Sequence, residues 1–242
     1  MVNYSRQRLL TGFVTAFVLA LLGTMEAPAQ QLDTASVIKE VDVAVKARID
    51  NIVGYTANEH YAVYRHEDEV HPVAEMTVAT TYKEATGKSY RIVQRSGSKI
   101  IQKLVLNAIL DNEVHLNLPG VRESAWITSA NYEMKLKPGG IQSLNGRSCL
   151  VLTLNPRRSE PYLIKGTLWV DSTDDSIIQV QGITSKSSSF VTGPTQVLRQ
   201  YANVGGFSQA KHLRAVSNSF LFGQTIVKID YQDYQIQLYQ HR

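Results

Sequence analysis

Cysteine is nearly absent from this chain of 242 residues, which contains only Cys149. A single cysteine excludes an intramolecular disulfide, so other interactions have to stabilise the fold. A nucleophilic cysteine would need a histidine and an orienting group beside it in space, which a sequence does not reveal. Because Cys149 lies inside the strand-like segment SCLVLTL, we expect a buried thiol with a structural role.

The short motifs of common catalytic and nucleotide-binding sites are also missing. The chain has no GxSxG, no P-loop, no GxGxxG and no HExxH. The formal net charge is only +4, and the longest basic run is the pair Arg157-Arg158, so no basic patch for nucleic acid can be identified. We therefore predict a protein that is not an enzyme, with no catalytic residue, metal, cofactor or nucleic-acid partner. The least favoured alternative is a hydrolase, because it would need Ser, His and acidic groups from distant segments to converge.

Long apolar runs are missing after the first thirty residues. The one run before that point, residues 9–22, follows Arg6 and Arg8 and precedes the small-residue site Ala27-Pro28-Ala29. This three-part arrangement is typical of a secretory signal peptide. The run is shorter than the roughly 20 residues that cross a bilayer comfortably. We predict a signal peptide over residues 1–29 and one exported domain over residues 30–242 with no transmembrane span; an uncleaved anchor is the alternative.

Two segments have the apolar periodicity of amphipathic helices. The first covers residues 33–52, and its apolar stripe is formed by Val37, Val41, Ala44, Val45, Ile49 and Ile52. Arg48 falls on the same stripe, where its apolar stem can lie along the buried face while its head stays in water. The second covers residues 99–112, with apolar residues at Ile100, Ile101, Leu104, Val105, Ala108 and Ile109.

The rest of the chain alternates apolar and polar residues with the period of β-strands. About ten strands are predicted, over residues 55–65, 73–83, 89–96, 131–136, 148–154, 162–170, 176–183, 196–201, 211–222 and 225–238. Turn signals such as Pro138-Gly139-Gly140, Asn145-Gly146 and Gly205-Gly206 separate them. Without βαβ alternation, the prediction is an α+β fold with one large antiparallel sheet. A twisted sheet of this size curls, and we expect the helices to cover its concave face.

Acidic and histidine-rich turns are the remaining candidates for chemistry. Asp171, Asp174 and Asp175 crowd the turn in GTLWVDSTDDSIIQVQG, but the spacing is not that of a calcium-binding loop. His66 and His71 flank an acidic hairpin, where a transition-metal site is the less favoured alternative to a solvated tip. Aromatic residues within strand patterns are an alternative ligand platform, although tyrosine favours half-buried strands anyway: Tyr61, Tyr64, Tyr82, Tyr90, Tyr231 and Tyr234.

The segment RSCLVLTLNPRRSEPYLIKGTLWVDSTDDSIIQVQG carries a family resemblance. A strand ending in Leu154-Asn155-Pro156 precedes the GTLWVD strand that starts at Gly166, and a returning strand reaches Gly182. The order of a signal peptide, a helix, three strands, a second helix and a long antiparallel run is similar as well. In these features, and in its terminal IDYQDYQI, the chain resembles the LolA/LolB-like superfamily of lipoprotein-sorting proteins.

The resemblance implies an unclosed half-barrel in the periplasm, with the helices as a lid over an apolar cavity that binds lipid or lipoprotein acyl chains. It implies no cofactor and no covalent chemistry, and we expect a monomer. Strand-face parity then selects the cavity candidates Met76, Val78, Ile92, Leu150, Leu152, Leu168, Val170 and Ile178. The alternative is a protein-interaction module of the same fold, such as an envelope stress sensor or assembly factor with an envelope protein partner.

Overall fold

A computed structural model describes residues 33–187, 193–219 and 223–240. The predicted signal peptide lies outside the described residues, so its presence and cleavage stay predictions. The first described element is helix α1 (Thr34–Asn51), which begins at Asp33. The Asp33 carboxylate accepts hydrogen bonds from the backbone N–H groups of Ala35 and Ser36, which satisfies donors that a helix start leaves unpaired.

Ten antiparallel strands form a single sheet. They are β1 (Ile52–Arg65), β2 (Ala74–Lys83), β3 (Gly87–Gly97), β4 (Tyr132–Leu144), β5 (Arg147–Pro156), β6 (Ile164–Asp171), β7 (Ile177–Thr184), β8 (Gln196–Val204), β9 (Phe207–Ser219) and β10 (Gly223–Leu238). Their order across the sheet is β3-β2-β1-β10-β9-β8-β7-β6-β5-β4. The sheet curls without closing, and the predicted α+β class with about ten strands is confirmed.

The strand order places the gap of the sheet between β3 and β4. All the remaining pairs of strands that are consecutive in sequence are hydrogen-bonded to each other, and β1 pairs with β10. The chain between β3 and β4 is mainly helical: α2 (Lys99–Ile101), a π-helical turn (Gln102–Leu106), α3 (Asn107–Leu116) and a 3₁₀ turn (Arg122–Ala125). Among the described residues, no helix is long and apolar enough to cross a membrane.

The helices cover two halves of the concave face, and we call α1 the first lid and residues 99–116 the second lid. Val37 and Val41 of the first lid pack on a cluster from β4 to β7. Leu106 and Leu110 of the second lid pack on a cluster from β1, β2, β9 and β10. Each lid therefore has its own buried apolar contact with the sheet.

The edge strand β4 differs from its prediction. It continues through Pro138-Gly139-Gly140, so the predicted turn there is wrong. The register shifts between Leu136, which pairs with Leu152, and Ile141, which pairs with Leu150. Extra residues on one strand form a bulge, and proline and left-handed glycines are tolerated at a bulge on a sheet edge. The proline and glycines do interrupt the hydrogen-bonded ladder between β4 and β5, but β4 resumes its pairing after them.

Candidate functional site

A cavity of about 580 Å³ lies between the two lids, above the centre of the sheet. The first lid contributes Ala44, Val45, Ala47 and Arg48. The second lid contributes Ile109, Asn112, Glu113 and Leu116. The floor is formed by the central strands β8, β9 and β10, with Val197, Arg199, Tyr201, Gln209, Ala210, Leu213, Val227, Ile229, Tyr231 and Tyr234.

Apolar and polar side chains contribute about equally to the lining of the cavity. Ile109 and Leu116 approach from the second lid, and Leu213, Val227 and Ile229 rise from the floor. The segment after the 3₁₀ turn and the strands beneath the first lid add Trp126, Ile127, Ile164 and Ile177. Apolar and aromatic side chains combined with convergent polar groups are typical of a site for an organic ligand.

A buried ion network forms one polar wall. The Lys88 ammonium on β3 lies 2.9 Å from Glu59 of β1 and 3.1 Å from Glu113 of α3. The side chain of Lys88 is only 3% exposed, and Arg199 of β8 lies 4.0 Å from Glu113. The Tyr61 hydroxyl donates a hydrogen bond to Glu59. Two cations and two carboxylates therefore balance one another across the lid and the sheet.

Burial and charge act in opposite directions on the titration of this network. Burial by itself lowers the pKa of Lys88, but Glu113 and Glu59 outweigh it, so that the pKa of Lys88 lies well above its ordinary value. Burial raises the pKa of Glu113, but Lys88 and Arg199 outweigh it and leave this pKa below its ordinary value of 4.5. Both groups are therefore charged at neutral pH.

Arg48 and Gln209 form a second polar group inside the cavity. The Arg48 Nη2 atom donates a hydrogen bond of 3.1 Å to Gln209 Oε1, joining the first lid to β9. Gln209 is only 1% exposed. Within the described ranges, the Arg48 Nε and Gln209 Nε2 donors are buried without a hydrogen-bond partner. Unpartnered buried donors are uncommon in proteins and are costly.

Aromatic rings extend the cavity wall beside Arg48. The Tyr55 ring stacks on Tyr82 with centroids 5.1 Å apart and meets Tyr234 at 5.6 Å. The Arg122 Nη1 atom donates hydrogen bonds to the Tyr82 hydroxyl and to the Glu84 carbonyl oxygen. These contacts fix the 3₁₀ turn that follows the second lid against the end of β2.

The eight predicted cavity candidates lie in or beside the packed core. Met76 and Val78 are buried beneath the second lid, and Ile92 packs against the same cluster. The candidates beneath the first lid are also buried in its cluster: Leu150, Leu152, Leu168 and Val170. None of the eight is among the residues that line the cavity described above, and their contact with a ligand stays a prediction.

The eighth candidate, Ile178, lies at an irregular point of the sheet. The register shifts so that Val170 pairs with Ile177 while Trp169 pairs with Gln179. Ile178 is the extra residue of this bulge, buried but outside both core clusters. Strict alternation does not hold across a bulge, and the parity argument that selected Ile178 does not extend over it.

Most polar residues of the cavity were not identified from the sequence. Lys88, Glu113, Arg199 and Gln209 lie in four separate elements and share no motif. Arg48 is the exception, because a cation on an apolar helical stripe is visible in the sequence. The structure places its head group in the cavity with Gln209 as its partner.

The acidic turn after β6 is a hairpin tip. Asp171 is buried, accepts a hydrogen bond from the Thr173 N–H at 2.9 Å and lies 3.2 Å from Arg147. Asp174 accepts from the Ser176 N–H at 3.0 Å, and Asp175 has a positive φ of 56°. The carboxylates of Asp171 and Asp174 therefore hold the turn, and Asp175 contributes a left-handed backbone conformation, which aspartate tolerates.

The histidine-flanked hairpin is also held by local bonds. Asp68 accepts hydrogen bonds from the Val70 and His71 N–H groups, and its pKa falls to about 2 because of these bonds. Across the described residues, no group of three or more His, Cys, Asp or Glu side chains is arranged to hold a metal ion. Cys149 is free and buried, as predicted.

No protein-family model matches the chain, and no curated protein does so either. Among solved structures, a LolA superfamily protein from Nitrosomonas europaea is similar, with 12% identity over 85% of this chain and 94% of its own, and a TM-score of 0.42. A DUF1329 family protein from Desulfovibrio piger is similar with 12% identity, 85% and 95% coverage, and a TM-score of 0.43.

A third solved structure is a domain from Vibrio parahaemolyticus, provisionally classed as an outer membrane lipoprotein-sorting protein. It has 11% identity over 86% of this chain and 95% of its own, with a TM-score of 0.45. The LolA-like resemblance expected from the sequence is thus found in structural comparison. With identities of 11–12% and TM-scores below 0.5, all three likenesses are distant.

Proposed function

We propose that this protein binds the acyl chain of a lipid or lipoprotein in the cavity between its lids and carries it without covalent chemistry. The observation that supports this is the cavity itself, which measures about 580 Å³ and has apolar side chains from both lids and the central strands beside its polar groups. Ligand pockets in proteins span roughly 300 to 1,000 Å³. The cavity is therefore large enough for a substantial part of an alkyl chain.

Burial of the ligand's acyl chain supplies the binding energy in this proposal. Each CH₂ group that leaves water for an apolar wall contributes about 0.8 kcal/mol. The ligand would enter and leave where a lid separates from the sheet. The Lys88–Glu113 contact ties the second lid to β3 and resists that separation.

The place of action in this proposal is the periplasm. The apolar run over residues 9–22, the preceding arginines and the small-residue site before Gln30 support export of the chain. A carrier working there would exchange its ligand with a membrane or with an envelope protein partner.

Cavity blocking tests the binding function. The lining residue Ala44 is half-buried on α1, whereas Ala35 on the same helix is exposed. We expect Ala44→Trp to weaken uptake of a fluorescent acyl probe by about tenfold or more, because the indole occupies space that the chain needs. Ala35→Trp is the matched control, and its probe affinity should equal that of the unmodified protein.

Native mass spectrometry of the protein purified gently from the cell envelope provides an independent measurement. A bound lipid mass supports the proposal. A protein that is always free of lipid and takes up no acyl probe would overturn it. A crosslinking experiment that yields one protein partner and no lipid would favour the alternative of a protein-interaction module.

A further inference from the structure

We infer that Arg48 and Gln209 form a receptor for an anionic, oxygen-bearing head group, so that the preferred ligand is an acidic amphiphile with a carboxylate or phosphate. This inference rests on the proposed binding function and specifies its ligand. It places the head group at the junction of the first lid and β9.

The cations that line the cavity differ in whether a carboxylate balances their charge. Lys88 pairs with Glu59 and Glu113, Arg122 with Glu123, and Arg199 lies near Glu113. In the part of the chain that the structure describes, the ion pairs include no carboxylate partner for Arg48. A charge withdrawn from bulk water is costly unless it is paired. Among the described cations that line the cavity, Arg48 is therefore the one without a carboxylate counter-ion.

The hydrogen-bonding groups of Arg48 and Gln209 that remain unused are donors. Arg48 Nη2 donates to the side-chain amide oxygen of Gln209. Gln209 Nε2 and Arg48 Nε then remain as two donors without a partner in the described residues. Both need an acceptor oxygen, and a carboxylate or phosphate supplies several on one anion.

Aromatic and apolar side chains surround Arg48 and Gln209 in the cavity. Tyr55 and Tyr234 line the cavity together with Arg48 and Gln209, and their rings lie 5.6 Å apart. Apolar residues of the floor, such as Leu213 and Ile229, line the same cavity. A ligand with one anionic end and one alkyl end therefore matches a cavity that offers an unpaired cation and apolar walls together.

Three probes of equal chain length test this inference: dodecanoate and dodecyl phosphate below their micelle-forming concentrations, and dodecanol below its solubility limit. Affinities are measured by displacement of the fluorescent acyl probe. We expect at least one anion to bind about ten- to a hundredfold more tightly than the alcohol, the range that a charged hydrogen bond supports. The affinities for dodecanoate and dodecyl phosphate show whether the site prefers a carboxylate or a phosphate head group.

Variants assign the preference to the residue. We expect Arg48→Gln to remove the preference for the anion, so that dodecanoate and dodecyl phosphate bind no more tightly to this variant than dodecanol does. Arg91→Gln is the control, because Arg91 is an exposed arginine on β3. If Arg48→Gln does not fold, Arg48→Lys serves instead. It keeps the charge without the planar guanidinium, and a reduced but remaining preference is expected.

The outcomes separate this inference from the proposed function. Equal affinity for all three probes would overturn the head-group receptor while acyl binding stands. An anion preference that survives intact in Arg48→Gln would overturn the role of this residue. Failure of every probe to bind would overturn the proposed function itself.

Discussion

At the scale of single residues, the glycines of β6 and β7 have the clearest structural reason. Gly166 and Gly182 pair directly across the two strands. A Cβ atom added at Gly166 would lie 2.1 Å from the Gln181 carbonyl oxygen, and one at Gly182 would lie 2.2 Å from that of Lys165. These contacts are with backbone, which cannot rotate away. The glycines therefore permit a close approach of two strands beneath the first lid.

We predict that Gly166→Ala destabilises the protein by about 1–3 kcal/mol, because the strands have to separate to admit the methyl group. Chemical denaturation measures the change. Gly193→Ala is the matched control, since the nearest atom to its added Cβ is 3.9 Å away. Equal stability of the two variants would contradict the packing argument.

At the scale of elements, the second lid is attached by an ion pair as well as by apolar packing. Lys88 belongs to β3, Glu59 to β1 and Glu113 to α3. The network therefore spans two strands and the lid that covers them. Removal of one charged member leaves an opposite charge buried without a partner. The resulting loss of stability is larger than the net stabilisation that the ion pair provides. The lid contact is consequently sensitive to the charge of Glu113.

We predict that Glu113→Gln lowers the free energy of unfolding by about 1–3 kcal/mol at neutral pH. The pKa of Glu113 is lowered in the folded protein, so its stabilising contribution is complete above the unfolded value of 4.5 and is lost as pH falls through the lower folded value. The difference between the two proteins should therefore shrink in acid.

Denaturant unfolding at neutral and acidic pH checks this dependence. Asp111→Asn is the control, because Asp111 is exposed on the same helix. A difference between unmodified protein and Glu113→Gln that is constant from pH 7 to well below 4.5 would show that the ion pair does not hold the lid.

At the scale of the whole molecule, two apolar clusters share one sheet. The cluster beneath the first lid draws on β4 to β7, and the cluster beneath the second lid draws on the strands around β1 and β10. The cavity lies between them, over β8 to β10. Because the space between the clusters is not packed, each lid is held mainly by its own cluster.

We predict that losses of packing in the two clusters are independent. Leu110→Ala should cost about 2–5 kcal/mol, and Val41→Ala somewhat less, since a smaller group is removed. The double variant should equal the sum within about 0.5 kcal/mol. Leu106→Ala combined with Leu110→Ala is the comparison pair, and non-additivity is expected there because both residues belong to one cluster. Strong coupling between Val41 and Leu110 would contradict the division.

The number and order of the elements could be predicted because their signals are local. Alternation identified all ten strands, and the apolar stripe identified α1 within a residue of each end. The second helix continues to Leu116, beyond the predicted residue 112. At β4, the glycines and proline indicated a turn where the sheet has a bulge, since both use the same backbone conformations.

The sequence by itself therefore determined the fold class, the meander of strands and the presence of two covering helices, because periods of two and 3.6 residues depend only on neighbours along the chain. Only the tertiary structure decided which polar groups meet. Arg48 and Gln209 are separated by 161 residues, and Glu59, Lys88 and Glu113 come from three elements. Their contacts depend on the curl of the sheet and the docking of the lids, and no local pattern encodes either.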